Sequence, residues 1–102
     1  MSWVRVASAE SIAPGDYASV EVDGDFVAVF NVDGEFLAVE DICTHDGGGL
    51  AGGEVVDHEV ICPRHGARFC LRTGRALTPP AYEPVRTFKT RVVDGQVEVL
   101  AE

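Results

Sequence analysis

Residues 26–39 read FVAVFNVDGEFLAV, two runs rich in β-branched and aromatic side chains on either side of Asp33-Gly34. Asp-Gly between two such runs is the strongest short signal of a β-hairpin, because the tight turn needs positive φ at both positions. The same dipeptide bounds further β-rich runs: Asp23-Gly24 follows residues 18–22 (ASVEV), and Asp94-Gly95 joins residues 85–93 (VRTFKTRVV) to 96–100 (QVEVL). The chain is therefore predicted to consist of β-hairpins.

The rest of the pattern also predicts strands rather than helices. Residues 2–6 (SWVRV) alternate as an opening strand, and no stretch repeats its apolar residues with a period of 3.6 over three turns. The best helical candidate, residues 7–12, is one turn at most, and Pro14-Gly15 ends it. These features predict an all-β fold, a small antiparallel β-sandwich or barrel.

Length and composition limit the class of protein. A chain of 102 residues predicts one domain over residues 1–102. The net charge of −9 argues against nucleic acid as a partner, since phosphates attract a basic surface. No apolar run approaches the ~20 residues that span a bilayer, and the first ten residues lack the apolar core of a signal peptide. We therefore expect a soluble cytoplasmic protein with no membrane partner.

Charge is unevenly distributed along the chain. Between residues 6 and 63 there are thirteen acidic residues and no Lys or Arg, whereas seven basic residues and one acid lie between 64 and 91. Folding of a sheet can mix these halves into scattered, solvated charges. The alternative is a dipolar surface that orients a charged protein partner during encounter.

The middle of the chain, about residues 40–82, interrupts the hairpin pattern. It contains all three cysteines and all three histidines, together with most of the glycine-rich turns. Three cysteines do not suggest a disulfide framework. So much loop material in one block of a short chain predicts a functional segment.

Two short boxes in this segment carry metal-ligand chemistry: Cys43-Thr44-His45 and Cys62-Pro63-Arg64-His65, sixteen residues apart. Two cysteines and two histidines are also the ligand count of a structural zinc site, but common zinc fingers place both cysteines in one half and both histidines in the other. Here each box holds one of each, so two adjacent loop tips can place both cysteines on one iron and both histidines on another. A zinc-stabilised interaction module is the alternative from a different class.

In these boxes the sequence resembles the Rieske ferredoxins, whose Cys-X-His and Cys-X-X-His motifs match Cys43, His45, Cys62 and His65. The resemblance covers the whole chain and implies an all-β sandwich of antiparallel sheets, with a loop-rich cluster-binding insertion at one end, here about residues 40–82. It also implies one Rieske 2Fe–2S cluster as cofactor, with those four residues as its metal ligands and with no catalytic residue.

Residues around the boxes suit such a cluster. Glycines 47–49 follow the first box and Gly66 follows the second, and glycines let backbone N–H groups converge on negative sulfur. By resemblance Pro79-Pro80 belongs to a third loop that shields the cluster from water; a plain loop stiffener is the alternative. Cys70 is expected to be a small buried thiol and His58 an exposed turn residue between two short strands, and neither is assigned to iron.

The chain differs from the high-potential members that it resembles. Those carry an extra cysteine in each box, joined as a disulfide, and hydroxyl side chains beyond the second box. This chain has Gly48 and Arg64 at the cysteine positions, and Ala67 and Phe69 at the hydroxyl positions. These differences indicate the low end of the Rieske potential range of about −150 to +300 mV. Asp46 should lower the potential further, whereas Arg64 and Arg68 should raise it.

The resemblance implies a one-electron carrier rather than an enzyme. Ferredoxin components of ring-hydroxylating dioxygenases, which act in aromatic hydrocarbon catabolism, pass electrons from a flavin-dependent ferredoxin reductase to a terminal oxygenase. We expect those two partners, and a monomer. The alternative within the family is a Rieske ferredoxin, or a small subunit, that serves another redox enzyme such as a nitrite reductase.

Overall fold

The computed structural model describes residues 2–44 and 46–101, which form ten antiparallel strands and one turn of 3-10 helix at Ala9–Ser11. The strands are β1 (Ser2–Ser8), β2 (Tyr17–Val22), β3 (Asp25–Val32), β4 (Glu35–Glu40), β5 (Val55–Val56), β6 (Glu59–Ile61), β7 (Arg68–Cys70), β8 (Thr87–Phe88), β9 (Thr90–Val93) and β10 (Gln96–Ala101). In the described part of the chain, no helix has the length and apolar character needed to span a membrane.

The strands form three sheets that stack as layers. The orders are β1-β10-β9, β2-β3-β4-β8 and β5-β6-β7, so the third sheet comes entirely from the middle of the chain. The first two sheets face each other as the predicted antiparallel sandwich, and neither is closed into a barrel. The third sheet covers the outer face of the four-stranded sheet.

Strand β3 explains why the four-stranded sheet can serve two cores. Successive side chains of a strand point to opposite faces, and residues 27–32 are all buried. Val27 and Val29 pack toward β10, whereas Ala28 and Phe30 pack toward the third sheet. Residues 27–30 (VAVF) are therefore continuously apolar because both faces of this part of the strand are covered.

The predicted hairpin turns are confirmed. Asp33 and Gly34 have φ of 52° and 92°, and the Asp-Gly pairs at 23–24 and 94–95 show the same two positive values. Each turn joins the strands that the sequence predicts, with ends displaced by one or two residues. The single helical turn lies inside the predicted residues 7–12.

The prediction of one continuous strand over residues 85–93 is wrong, because this segment forms two short strands in different sheets. The chain pairs with β4 at Thr87–Phe88, then crosses to the other sheet and pairs with β10 at Thr90–Val93. Lys89 lies at the crossing, where its carbonyl accepts a hydrogen bond from the N–H of Leu100. A pattern of alternating residues cannot show a change of sheet, because each half keeps the same period.

The structure favours the mixing of the charged halves over a dipolar surface. Arginines from the basic segment pair with acids from distant parts of the chain: Arg64 with Asp46, Arg68 with Glu59, Arg72 with Glu35, and Arg86 with Asp25. Most of these pairs are solvent-exposed, where an ion pair contributes little to stability. The pairs nevertheless intersperse the two signs of charge over the surface.

The covering of β3 by the third sheet can be tested with two phenylalanines of that strand. Phe30 has no exposed surface, whereas Phe26 is 64% exposed. We expect Phe30→Ala to lower the free energy of unfolding by roughly 3–5 kcal/mol, as for other buried phenylalanines. Phe26→Ala is the control and should change it by less than about 0.5 kcal/mol. Urea titration followed by the fluorescence of Trp3 measures both; equal effects would contradict the burial of Phe30 between β3 and the third sheet.

Candidate metal centre

The first cysteine box lies in a tight loop that follows strand β4. The N–H of Cys43 donates to the carbonyl of Gly48 at 2.6 Å, and the N–H of Gly47 donates back to the carbonyl of Cys43 at 2.7 Å. Gly47 has φ of 77°, a conformation that side chains disfavour. These bonds close residues 43–48 into a loop that we call the first cysteine loop.

The second box forms a loop of the same design between β6 and β7. The N–H of Cys62 donates to the carbonyl of Ala67 at 2.7 Å, and the N–H of Gly66 donates to the carbonyl of Cys62 at 3.0 Å. Gly66 has φ of 74°, matching Gly47. Residues 62–67, the second cysteine loop, thus repeat the closure of the first, with the glycine four residues after the cysteine in both.

Both loops bury their cysteine and bring the two thiols together. Cys43 is 0% exposed and Cys62 is 1% exposed, and both belong to the core beneath the four-stranded sheet. The Cys43 side chain is hydrogen-bonded to Cys62. None of the three cysteines of the chain is in a disulfide.

The surroundings of Cys62 favour its thiolate. Burial is the largest single influence and raises the pKa of this thiol, whereas hydrogen bonds from the backbone N–H groups of Arg64 and His65 lower it. The Cys43 side chain and the charge of Arg64 act in the same direction, so the pKa of Cys62 is lowered from its usual value. Thiolate is the form of cysteine that binds metals.

His65 lies at the surface of the second loop, next to an acid of the first. Its Nε2 atom is 3.2 Å from Oδ2 of Asp46. A metal-bound histidine commonly donates its outer ring N–H to a carboxylate, which fixes the ring and leaves the other nitrogen as ligand. The contact with Asp46 leaves Nδ1 of His65 for that role. His45, the fourth predicted ligand, lies outside the described residues.

The segment that follows Pro79-Pro80 contacts the first cysteine loop and the core that contains both cysteines. The hydroxyl of Thr44 donates to the carbonyl of Glu83 at 2.7 Å, and Ala81 is buried in the same core as the two cysteines. Tyr82 between them is 82% exposed. The segment after Pro79-Pro80 therefore contacts the first cysteine loop; that it shields a cluster from water stays a prediction.

The remaining cysteine and histidine lie elsewhere. Cys70 ends strand β7 and is only partly buried, so the prediction of a buried thiol is wrong; a hydrogen bond from the Thr73 side chain lowers its pKa. His58 follows β5 in a turn, as predicted, but is partly buried and lies 2.9 Å from Nη2 of Arg72. Within residues 2–44 and 46–101, no three His, Cys, Asp or Glu side chains are arranged to hold a single metal ion.

The residues present fit an iron–sulfur cluster with mixed ligands. Two thiols meet in a dry core, N–H groups point at one sulfur, and an imidazole stands at the surface with one nitrogen already bonded. Two loops that each contribute part of the ligand set match a binuclear centre, in which the donors are divided between two irons.

Comparison with known proteins agrees with this geometry. The model of the Rieske [2Fe–2S] domain matches residues 2–89. The chain belongs to the Rieske [2Fe–2S] domain family. It is 39% identical over 100 residues to the ferredoxin subunit of biphenyl dioxygenase from Pseudomonas sp. strain KKS102, covering 97% of this chain and 92% of that protein. The predicted 2Fe–2S cofactor and the electron-transfer rather than catalytic role are thereby confirmed.

Solved structures of the Rieske family repeat the fold. The ferredoxin of carbazole 1,9a-dioxygenase from Nocardioides aromaticivorans IC177 superposes with a TM-score of 0.94, 31% identity and full coverage of both chains. A chain in a complex of reduced oxygenase and oxidized ferredoxin of carbazole 1,9a-dioxygenase gives a TM-score of 0.91 at 34% identity, covering 98% of this chain and 94% of that chain. A protein described as the small subunit of a putative NADPH nitrite reductase superposes with a TM-score of 0.85 at 26% identity, covering 99% of this chain and 100% of that chain.

Sequence reasoning did not predict the contacts between the two cysteine loops. The sequence predicted the charges of Asp46 and Arg64 near the cluster but not that these two residues bond to each other across the loops. The signal available in the sequence was that the two residues carry opposite charges and that each lies next to the histidine of its box.

The closure of the second loop can be tested at Gly66, where an added Cβ would meet no atom within 4 Å. Gly66→Ala should therefore destabilise the protein only through its left-handed φ, by roughly 1–2 kcal/mol. Gly66→Asn should cost less, because Asn tolerates this conformation better than Ala. The urea midpoints of the two variants give the order of stability. A Gly66→Ala variant with the wild-type midpoint would contradict the positive φ of residue 66.

Proposed function

We propose that Cys43, His45, Cys62 and His65 hold one [2Fe–2S] cluster, and that the chain carries single electrons from a flavin-dependent reductase to the terminal oxygenase of an aromatic ring-hydroxylating dioxygenase. The observation that supports the ligand set most strongly is the repeated closure of the two cysteine loops, which buries both thiols side by side. When bound, a Rieske cluster accepts and releases one electron. Residues 40–82 would form its binding subdomain within one domain.

The described residues would have different roles in such a site. The cysteine loops bury the sulfur atoms and surround Cys62 with N–H groups, which stabilise negative charge on sulfur. His65, exposed beside them, gives a partner protein a point of contact close to the buried thiols. A short-lived contact at such a point suits a carrier that must bind two partners in turn, at the small end of interface areas.

The shape of the molecule also suits a carrier. A cavity of about 590 Å³ lies between strands of the two sandwich sheets, lined mainly by Trp3, Phe36, Leu71, Phe88 and Lys89. None of its lining residues belongs to either cysteine loop. The cavity therefore does not place a substrate beside the thiols.

The relatives support the choice of partners. The solved complex of an oxygenase with its ferredoxin supports a terminal oxygenase as electron acceptor, and the similarity to a biphenyl dioxygenase ferredoxin subunit supports an aromatic substrate for that oxygenase. We propose a flavin-dependent reductase as donor, and a monomer that works in the cytoplasm. Three cysteines without a disulfide suit such a reducing compartment.

The alternatives have weaker support. A role beside a nitrite reductase is favoured only by structures of lower identity, such as the small subunit at 26%. The family match argues against the alternative of a zinc-binding module, since the matching domain is a [2Fe–2S] domain.

The ligand set can be tested with matched cysteine and histidine variants. Cys62→Ala and His65→Ala should yield protein without the visible absorption of the cluster, because each removes one proposed donor. Cys70→Ala and His58→Ala are the controls, since they remove the cysteine and the histidine that are not proposed as ligands. Both variants should keep iron and acid-labile sulfide at the wild-type ratio. Retention of the cluster in His65→Ala would contradict the proposed set.

The role in electron transfer can be tested with a biphenyl dioxygenase system reconstituted without its own ferredoxin subunit. Adding this chain should restore oxidation of biphenyl, and Cys62→Ala should not. A foreign reductase can discriminate against the chain, so the prereduced protein is also mixed directly with the oxygenase. Rapid reoxidation supports the proposal; a cluster-loaded chain that neither restores turnover nor is reoxidised by the oxygenase would contradict it.

A further inference from the structure

Asp46 and Arg64 join the two cysteine loops through a bidentate ion pair. Nε of Arg64 is 2.6 Å from Oδ2 of Asp46, and Nη2 is 3.0 Å from Oδ1. The third nitrogen, Nη1, donates to the carbonyl of Gly49 at 2.9 Å. All three nitrogens of this guanidinium therefore bond to the first-loop region, although Arg64 itself belongs to the second loop.

The carboxylate of Asp46 has further partners on both loops. Its Oδ1 atom accepts the N–H of Gly48 at 2.9 Å, which ties it to its own loop. Its Oδ2 atom faces Nε2 of His65 at 3.2 Å. One carboxylate thus contacts the backbone of the first loop, the guanidinium of Arg64 and the imidazole of a proposed ligand.

Gly48 makes room for this arrangement. A Cβ atom at this position would lie 2.6 Å from Cζ of Arg64, closer than real side chains approach. With no side chain there, the guanidinium can lie against the first loop and reach both Asp46 and the carbonyl of Gly49.

We propose that Asp46 and Arg64 are positioning residues, which clamp the two cysteine loops together and fix the ring of His65. The proposal rests on the ligand set proposed above. A planar guanidinium that bonds both oxygens of a carboxylate fixes direction as well as distance, which a lysine cannot do. The pair thereby holds the spacing between two loops that no disulfide joins.

The two charges also predict opposite effects on the reduction potential. A negative charge near the cluster disfavours an added electron and a positive charge favours it. Removing Asp46 should therefore raise the potential, and removing Arg64 should lower it. A purely structural role would move both variants in the same direction or not at all.

The test measures two properties of the holoprotein in Asp46→Asn, Arg64→Gln and Arg64→Lys: the rate at which a chelator bleaches the cluster, and the reduction potential. All three variants should lose the cluster faster, by roughly two- to fivefold for a partly exposed pair. The potential should rise in Asp46→Asn and fall in Arg64→Gln. Arg64→Lys keeps the positive charge but not the two-pronged guanidinium, and it should shift the reduction potential by less than half as much as Arg64→Gln.

The matched control is Arg91→Gln. Nε of Arg91 is also 2.6 Å from its acid, Glu98, but this pair joins β9 to β10, outside both cysteine loops. The control should leave the bleaching rate and the potential at wild-type values. Bleaching of the Asp46 and Arg64 variants at the wild-type rate would overturn the clamp, and so would potentials that shift in the same direction in Asp46→Asn and Arg64→Gln.

A readout that needs no cluster separates failure of the clamp from failure of the ligand set. Amide hydrogen exchange at Gly48, whose N–H is held by Asp46, should accelerate in Arg64→Gln and not in Arg91→Gln. Wild-type protein without a cluster but with this difference in exchange would contradict the ligand set and support the clamp. Equal exchange in both variants would overturn the clamp.

Discussion

The backbone N–H groups of Cys43 and Cys62 each donate to the carbonyl five residues further along, and the rest of the site depends on these two bonds. Each bond folds a short loop back on itself, so that the cysteine points into the core and the loop tip points outward. Gly47 and Gly66 make this possible because both adopt positive φ at the same point of their loops. Buried thiols and an exposed histidine follow from one repeated turn.

The four-stranded sheet gives the loops a rigid base. Its inner face packs on the three-stranded sheet of the sandwich, and its outer face packs on the core that contains both cysteines. Phe30 and Phe69 lie in that outer core with the two thiols. The close packing of protein interiors resists small displacements, so the position of the sulfur atoms is coupled to the whole sandwich rather than to the loops alone.

Much of this could be predicted from the sequence, and the rest could not for physical reasons. Asp33-Gly34 specifies its hairpin locally, because the turn chemistry and the flanking strands are adjacent in the chain. Strands β5, β6 and β7 have only two or three residues each, too few for any period to show, although the turn at His58 was predicted. The boxes predict the two thiols and His65 as ligands because the ligand pattern is itself sequential.

The pairing of Asp46 with Arg64 depends instead on where two loops meet, which no local pattern encodes. The same holds for Lys89, where the chain leaves one sheet for another. Mixing of the basic segment with the acidic half was one of two alternatives left open by the sequence, and pairs such as Arg86 with Asp25 favour it. Which acid each arginine meets follows from the order of strands in the sheets, not from its neighbours in sequence.

The central claim is that the two cysteine loops supply one thiolate and one imidazole each to a single [2Fe–2S] cluster. Pulsed electron paramagnetic resonance of the reduced protein tests it most directly, with ¹⁵N-histidine incorporated into a His58→Gln background. Only His45 and His65 then carry the label, since the chain has three histidines. The account predicts two strongly coupled histidine nitrogens in the spectrum. Detection of one such nitrogen, or of none, would contradict it.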